Sequence, residues 1–154
     1  MRLVVTNEND SARSAQMSLV RGRDTKPELL VRRTLHAAGL RYSLHAKGLP
    51  GRPDLVFRSR RIVVFVHGCF WHQHPSSHCR LARMPKSRLD FWGPKLRGNR
   101  QRDERVKASL ENHGWRVIEV WECETKPEHL RKLVADIKNS TLPPRYKHSS
   151  KYAV

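Results

Sequence analysis

The chain has 154 residues, with 31 Lys+Arg against 14 Asp+Glu and a formal charge of +17. So large an excess serves no folding need and points to a polyanionic partner, nucleic acid ahead of a membrane surface, because the basic residues are spread along the chain rather than confined to one amphipathic helix. The longest apolar run, Ile62-Val63-Val64-Phe65-Val66, is far short of the ~20 residues that a spanning helix requires, and residues 1–6 are too weakly apolar for a signal peptide, so one cytoplasmic domain is expected.

Residues 1–24 mix Asn, Ser, Arg and Gly with little apolar period and read as an arm, with Met17 its large flexible apolar side chain. Thr25-Lys26-Pro27-Glu28 carries the capping-box pattern of a helix start, and Leu30, Val31, Leu35 and Ala38 supply its buried face before Gly39 stops it. Leu40, Tyr42 and Leu44 alternate with polar residues as in a strand. After the turn-rich residues 47–53, Asp54-Leu55-Val56-Phe57 and Arg61-Ile62-Val63-Val64-Phe65-Val66 read as a hairpin whose second strand is buried on both faces.

Residues 67–91 form a Cys/His/Trp-rich insert without helical or strand period, long enough to need something that holds it, such as a metal. A basic helix is predicted over 92–113, with Leu96, Val106 and Leu110 facing inward and Gly114 as its stop; a strand follows over 115–121. A last helix starts at Pro127 and buries Leu130, Leu133, Val134 and Ile137, and residues 141–154 read as a disordered basic tail. The order is helix, three strands, helix, strand, helix, which predicts an α/β (α+β) domain over 25–140 with a mixed sheet flanked by helices.

Asp54 stands at the mouth of the hairpin, so a short turn brings it to the end of the second strand. Together with the Val66 backbone carbonyl it makes an all-oxygen site suited to Mg²⁺; the competing reading is an Asp that ends a Pro-Asp turn. Phosphodiester hydrolysis needs a nucleophilic water and charge neutralisation, which a carboxylate-held Mg²⁺ supplies. His67 and His72 flank the same strand end, and a histidine titrating near neutrality can take the proton of the attacking water. Glu28 is explained by its capping box and Asp103 by a solvated helix face; each is also a candidate acid of the site.

Cys69-x4-His74-x4-Cys79 and the distant Cys123 use every cysteine in the chain, and an odd set among histidines in a reducing compartment favours a metal over disulfides. A Cys₃His set suits tetrahedral, structural Zn²⁺, with His72 or His78 as alternatives to His74. The pairs Phe70-Trp71 and Phe91-Trp92 lie in basic surroundings, where they either cover the zinc site or wedge into a base stack.

Four stretches, Leu49-Pro50-Gly51-Arg52-Pro53-Asp54, Phe65-Val66-His67-Gly68-Cys69-Phe70-Trp71-His72, Asp90-Phe91-Trp92 and Trp115-Arg116-Val117-Ile118-Glu119-Val120-Trp121-Glu122-Cys123, together resemble the very-short-patch repair (Vsr) DNA mismatch endonucleases. The resemblance implies a restriction-endonuclease-like fold and Mg²⁺-dependent nicking of duplex DNA on the 5′ side of the thymine in a T:G mismatch. It implies Asp54 and the Val66 carbonyl as Mg²⁺ ligands, His72 as general base, and Glu28, His67 and Asp103 as supporting active-site residues. It further implies Cys69, His74, Cys79 and Cys123 as zinc ligands, and Phe70, Trp71 and Trp92 as an aromatic wedge with Met17 entering from the other groove. The implied setting is a monomer acting on double-stranded DNA at the nucleoid, with mismatch-repair and DNA polymerase proteins as candidate partners. Val66 stands where some members have Thr, and the second strand lacks the acid-x-lysine of related nucleases, which favours a histidine base. Two alternatives remain open at the sequence level: a restriction-type nuclease on the same scaffold, and a non-catalytic zinc-stabilised DNA-binding module.

Overall fold

In the computed structural model, which describes residues 22–140, the Thr25 side chain caps α1 (Lys26–Ala37) by accepting the Glu28 N–H at 3.4 Å, with Pro27 in the first turn where a missing donor costs nothing. Glu28 reaches back to the Asp24 N–H at 2.8 Å, one residue before the position that a capping box usually serves. Gly39, at φ +82°, ends the helix in the left-handed conformation that only glycine adopts cheaply. Four strands, β1 (Ser43–Leu44), β2 (Leu55–Phe57), β3 (Ile62–His67) and β4 (Arg116–Trp121), form one mixed sheet in that order. β1, β2 and β3 pair antiparallel and β3 pairs β4 in parallel, with α2 (Leu89–Asn112) in the crossover and α3 (Pro127–Asn139) following β4.

The sheet buries both faces. On one, Val31 and Leu35 of α1 and Leu130, Leu133 and Ile137 of α3 pack on Leu55, Phe57, Ile62, Val64 and Val120. On the other, Leu110 of α2 packs with Leu49, Val56, Val63 and Trp115, joined by Phe65, Val106 and Val117. A four-stranded mixed sheet between helices is the expected fold class, and β3 is the strand with both faces covered.

Four details depart from the sequence expectation. The first strand is only two residues long, with Leu44 exposed, because β1 is an edge strand that pairs just Val56 and Leu55 before the chain turns into the glycine-rich loop. Leu30 is exposed, since α1 meets the sheet through Val31 and Leu35, with Glu28 in the buried row. Ala38 is half-buried as the helix C-cap. α2 begins at Leu89, so Phe91 and Trp92 belong to its first turn and the insert ends sooner. The arm, with Met17, and the tail over 141–154 lie outside the described residues.

Candidate active site

Strand alternation puts the site on the α2 face, at the end of the sheet where β3 and β4 finish. β2 and β3 pair from Phe57–Ile62 to Leu55–Val64, and the ladder stops there. Beyond it the Asp54 side chain takes over a backbone role: its Oδ2 accepts the Val66 N–H at 2.7 Å. An extended residue presents its N–H and C=O to the same neighbouring strand, so the Val66 carbonyl faces the edge where Asp54 stands. Burial pushes the Asp54 carboxyl above its ordinary range despite that hydrogen bond, and the nearby Glu28 carboxylate adds to the push.

Across the cleft, the Asp103 side chain of α2 meets His72, with Oδ2 at 2.5 Å from Nδ1. That contact turns the other ring nitrogen of His72 away from Asp103. His67 stacks on His72 with ring centroids 4.2 Å apart and is 6 % exposed. Asp54, Val66, His67, His72 and Asp103 line one cleft of about 580 Å³, whose rim carries Arg23, Arg52 and Arg102. Gly51, at φ +70°, brings the Pro-Gly-Arg-Pro turn so close to α2 that a Cβ there would collide with the Val106 side chain. The turn that bears Asp54 is thereby docked on the helix that bears Asp103.

Glu28 lies behind the cleft, next to His45, which lines it. Glu28 is 2 % exposed and ion-paired with Arg32, whose guanidinium also bonds Asp24 Oδ1 at 2.6 Å and His45 Nε2 at 2.8 Å. His45 stands between two carboxylates, 3.3 Å from Glu28 and 3.8 Å from Asp54. Neither Arg32 nor His45 is singled out by the sequence, although Arg32 is four residues from Glu28 on α1, the spacing of a helical ion pair.

The sulfurs of Cys69 and Cys79 in the insert and of Cys123 just after β4 lie within 4.8 Å of one another. His74 Nε2 is 4.0 Å from Cys123 Sγ, whereas His72 is committed to Asp103 and His78 is exposed. Three sulfurs with one adjacent imidazole fit a tetrahedral N/S ion. Burial pushes the Cys69 thiol up to about 12, so keeping it as a thiolate calls for a cation. Beside the cluster the rings of Phe70, Trp71 and Trp92 pack at 5.1–5.9 Å from one another, all half-buried. Phe91 leans on Trp92 and is 44 % exposed. Trp121 lies between the two regions, against His67 at 5.1 Å and His74 at 4.6 Å.

A histidine–carboxylate cleft with an arginine rim, on a mixed sheet in a strongly basic chain, defines a nucleic-acid-cleaving enzyme. Residues 6–80 match the family described as DNA mismatch endonuclease Vsr. The type II nicking enzyme V.XorIIP of Xanthomonas oryzae pv. oryzae is 56% identical over 108 residues, 70% of this chain and 77% of that protein. The type II nicking enzyme V.NmeAIP of Neisseria meningitidis serogroup A is 42% identical over 135 residues, 84% of this chain and 94% of its own. The DNA mismatch endonuclease Vsr of Escherichia coli is 42% identical over 113 residues, 73% and 70% of the two chains. The chain belongs to the Vsr DNA mismatch endonuclease family and is a DNA endonuclease. Among the described residues no helix is long and apolar enough to cross a membrane.

Proposed function

We propose that the protein nicks duplex DNA 5′ of the thymine in a T:G mismatch, as the first step of very-short-patch repair of deaminated 5-methylcytosine, by Mg²⁺-dependent hydrolysis with His72 as general base. The observation that carries this reading is the His72–Asp103 pair sharing one cleft with Asp54 and Val66. Asp54 and the Val66 carbonyl would hold the Mg²⁺, and their oxygen-only chemistry fits a hard cation. The chemistry a divalent ion would supply there is neutralisation of charge on the scissile phosphate and a more acidic water. His72 takes the proton of the attacking water on Nε2, while Asp103 fixes the ring through Nδ1 and stabilises the imidazolium that forms. His67 packs behind that ring, and Glu28, ion-paired with Arg32, supports His45 at the Asp54 side of the cleft.

Zn²⁺ held by Cys69, His74, Cys79 and Cys123 would staple the insert to the end of β4, and so fix Phe70, Trp71 and Trp92 as one block. That block wedges the base stack at the mismatch, where unstacking costs least, with Met17 entering from the arm. The protein works as a monomer on nucleoid DNA in the cytoplasm, alongside mismatch-repair and DNA polymerase proteins.

The test uses duplexes with each strand end-labelled in turn, identical but for one T:G pair, incubated with Mg²⁺ and the wild type or His72→Ala. The expected result is a single nick in the thymine strand, absent with EDTA, and slowed about 10²–10⁴-fold in the variant. Cutting of both strands of the matched duplex would instead mark a restriction-type nuclease, and binding without cutting would mark a DNA-binding module.

A further inference from the structure

We propose that Glu119, anchored by Lys107, is a positioning residue that holds His67, and through it His72, in the orientation the cleft requires. The inference rests on the reading of His72 as the base and adds two residues to it. Parallel pairing sets Glu119 of β4 opposite Phe65 and Trp121 opposite His67. Glu119 Oε1 is 3.5 Å from His67 Nε2, and its Oε2 accepts from Lys107 Nζ at 2.6 Å. Lys107 lies four residues beyond Asp103, one turn further along α2, so the same helix stripe supplies the carboxylate that backs His72 and the cation that holds the carboxylate behind His67.

The geometry leaves a definite task for Glu119. The plane of the His67 ring is set by stacking, 12° from the Phe65 ring and 29° from that of His72, with Trp121 tilted against it. Stacking does not choose between the two flips of an imidazole about Cβ–Cγ, which share one plane; a partner at the ring edge selects the flip that presents a nitrogen to it, and Glu119 stands at that edge. His67, His72 and Asp103 also form the partition between the main cleft and a second cavity of about 220 Å³, whose lining includes Lys107, Glu119 and Trp121. The partition is one side chain thick. Without Glu119 a buried histidine edge would face that cavity unpartnered, at a cost that favours ring rotation and a looser stack on His72.

The contacts with His67 and Lys107 hold the Glu119 carboxyl at about 2, well below its ordinary value, as expected of a carboxylate engaged on both oxygens.

The experiment measures single-turnover nicking of the T:G duplex and duplex affinity for Glu119→Leu, Glu119→Gln, Lys107→Met and His72→Ala, each checked for folding by circular dichroism. The expected result is a rate about tenfold lower for Glu119→Leu with duplex affinity unchanged, and near-complete rescue by Glu119→Gln, whose amide oxygen still accepts from His67. Lys107→Met is expected to lose less, in the same direction. Glu119→Leu at the wild-type rate, with His72→Ala inactive, overturns the positioning role and leaves the reading of the base intact. His72→Ala at the wild-type rate overturns both. If Glu119→Leu does not fold, Lys107→Met at the wild-type rate overturns the proposal.

Discussion

The two faces of the sheet solve different problems with the same strands. Toward α1 and α3, β3 presents Ile62, Val64 and Val66, and β4 presents Ile118 and Val120 after an opening Arg116 that pairs with Asp136 of α3, so this face stays aliphatic to the end where the strands finish. Toward α2, β3 runs Val63, Phe65, His67 and β4 runs Val117, Glu119, Trp121, so the apolar core stops midway and polar groups continue the rows. The first face is given over to stability; the second keeps an apolar half under Leu110 and gives its open end to chemistry. A domain with a single buried face would have no core left after such a division.

Removing core from the complete face should produce the largest change in stability. Leu35→Ala deletes a side chain that is 1 % exposed, and should cost about 2–5 kcal/mol in urea unfolding with nicking per folded molecule unchanged. A fall in nicking of the folded fraction would mean that the two faces are not independent.

Cys123→Ser should act more locally, because neither core cluster contains a residue of the insert. The wild type is expected to carry about one Zn²⁺ per chain and the variant none, with proteolysis concentrated in residues 68–88 and the urea midpoint lowered less than by Leu35→Ala. A metal-free wild type with a protease-resistant insert would refute the staple.

The smallest expected effect is the acid response of Glu119. Its pKa is held at about 2 against an ordinary 4.5, so its contribution is fully present above pH 4.5 and is lost as pH falls through about 2. The stability difference between wild type and Glu119→Gln should therefore shrink over that window; a difference that is constant with pH would mean that the carboxylate charge contributes nothing.

How much of this was legible in the sequence follows the same division. The continuous aliphatic run of β3 and the helical period of α3 announce the complete face, and Thr25-Lys26-Pro27-Glu28 announces α1. Asp54, His67 and His72 are legible because they border recognisable turns and strand ends. Glu119 reads on its own as an ordinary residue on the wet side of a strand, and Lys107 as one more charge on a basic helix. What joins them is the parallel register of β3 and β4, a contact between segments more than fifty residues apart in sequence. His45 is hidden for a related reason: it follows a two-residue edge strand, too short for alternation to fix its direction. The shared face of Glu119 and Trp121 on β4, with Asp103 and Lys107 one turn apart on α2, is the pattern that could have pointed to the support behind His67.

The open end of the α2 face is built for reaction at the expense of stability, and Asp54→Asn separates the two. The carboxylate is held against burial and against Glu28, with its pKa raised, so the ionised form opposes folding near neutral pH. The asparagine keeps an acceptor for the Val66 N–H and removes the charge. Urea midpoint and Mg²⁺-dependent nicking of the T:G duplex, measured on one preparation, should show a midpoint equal to or above the wild type's and no nicking. A variant that nicks at the wild-type rate, or that loses nicking only in proportion to a lowered midpoint, would contradict the account.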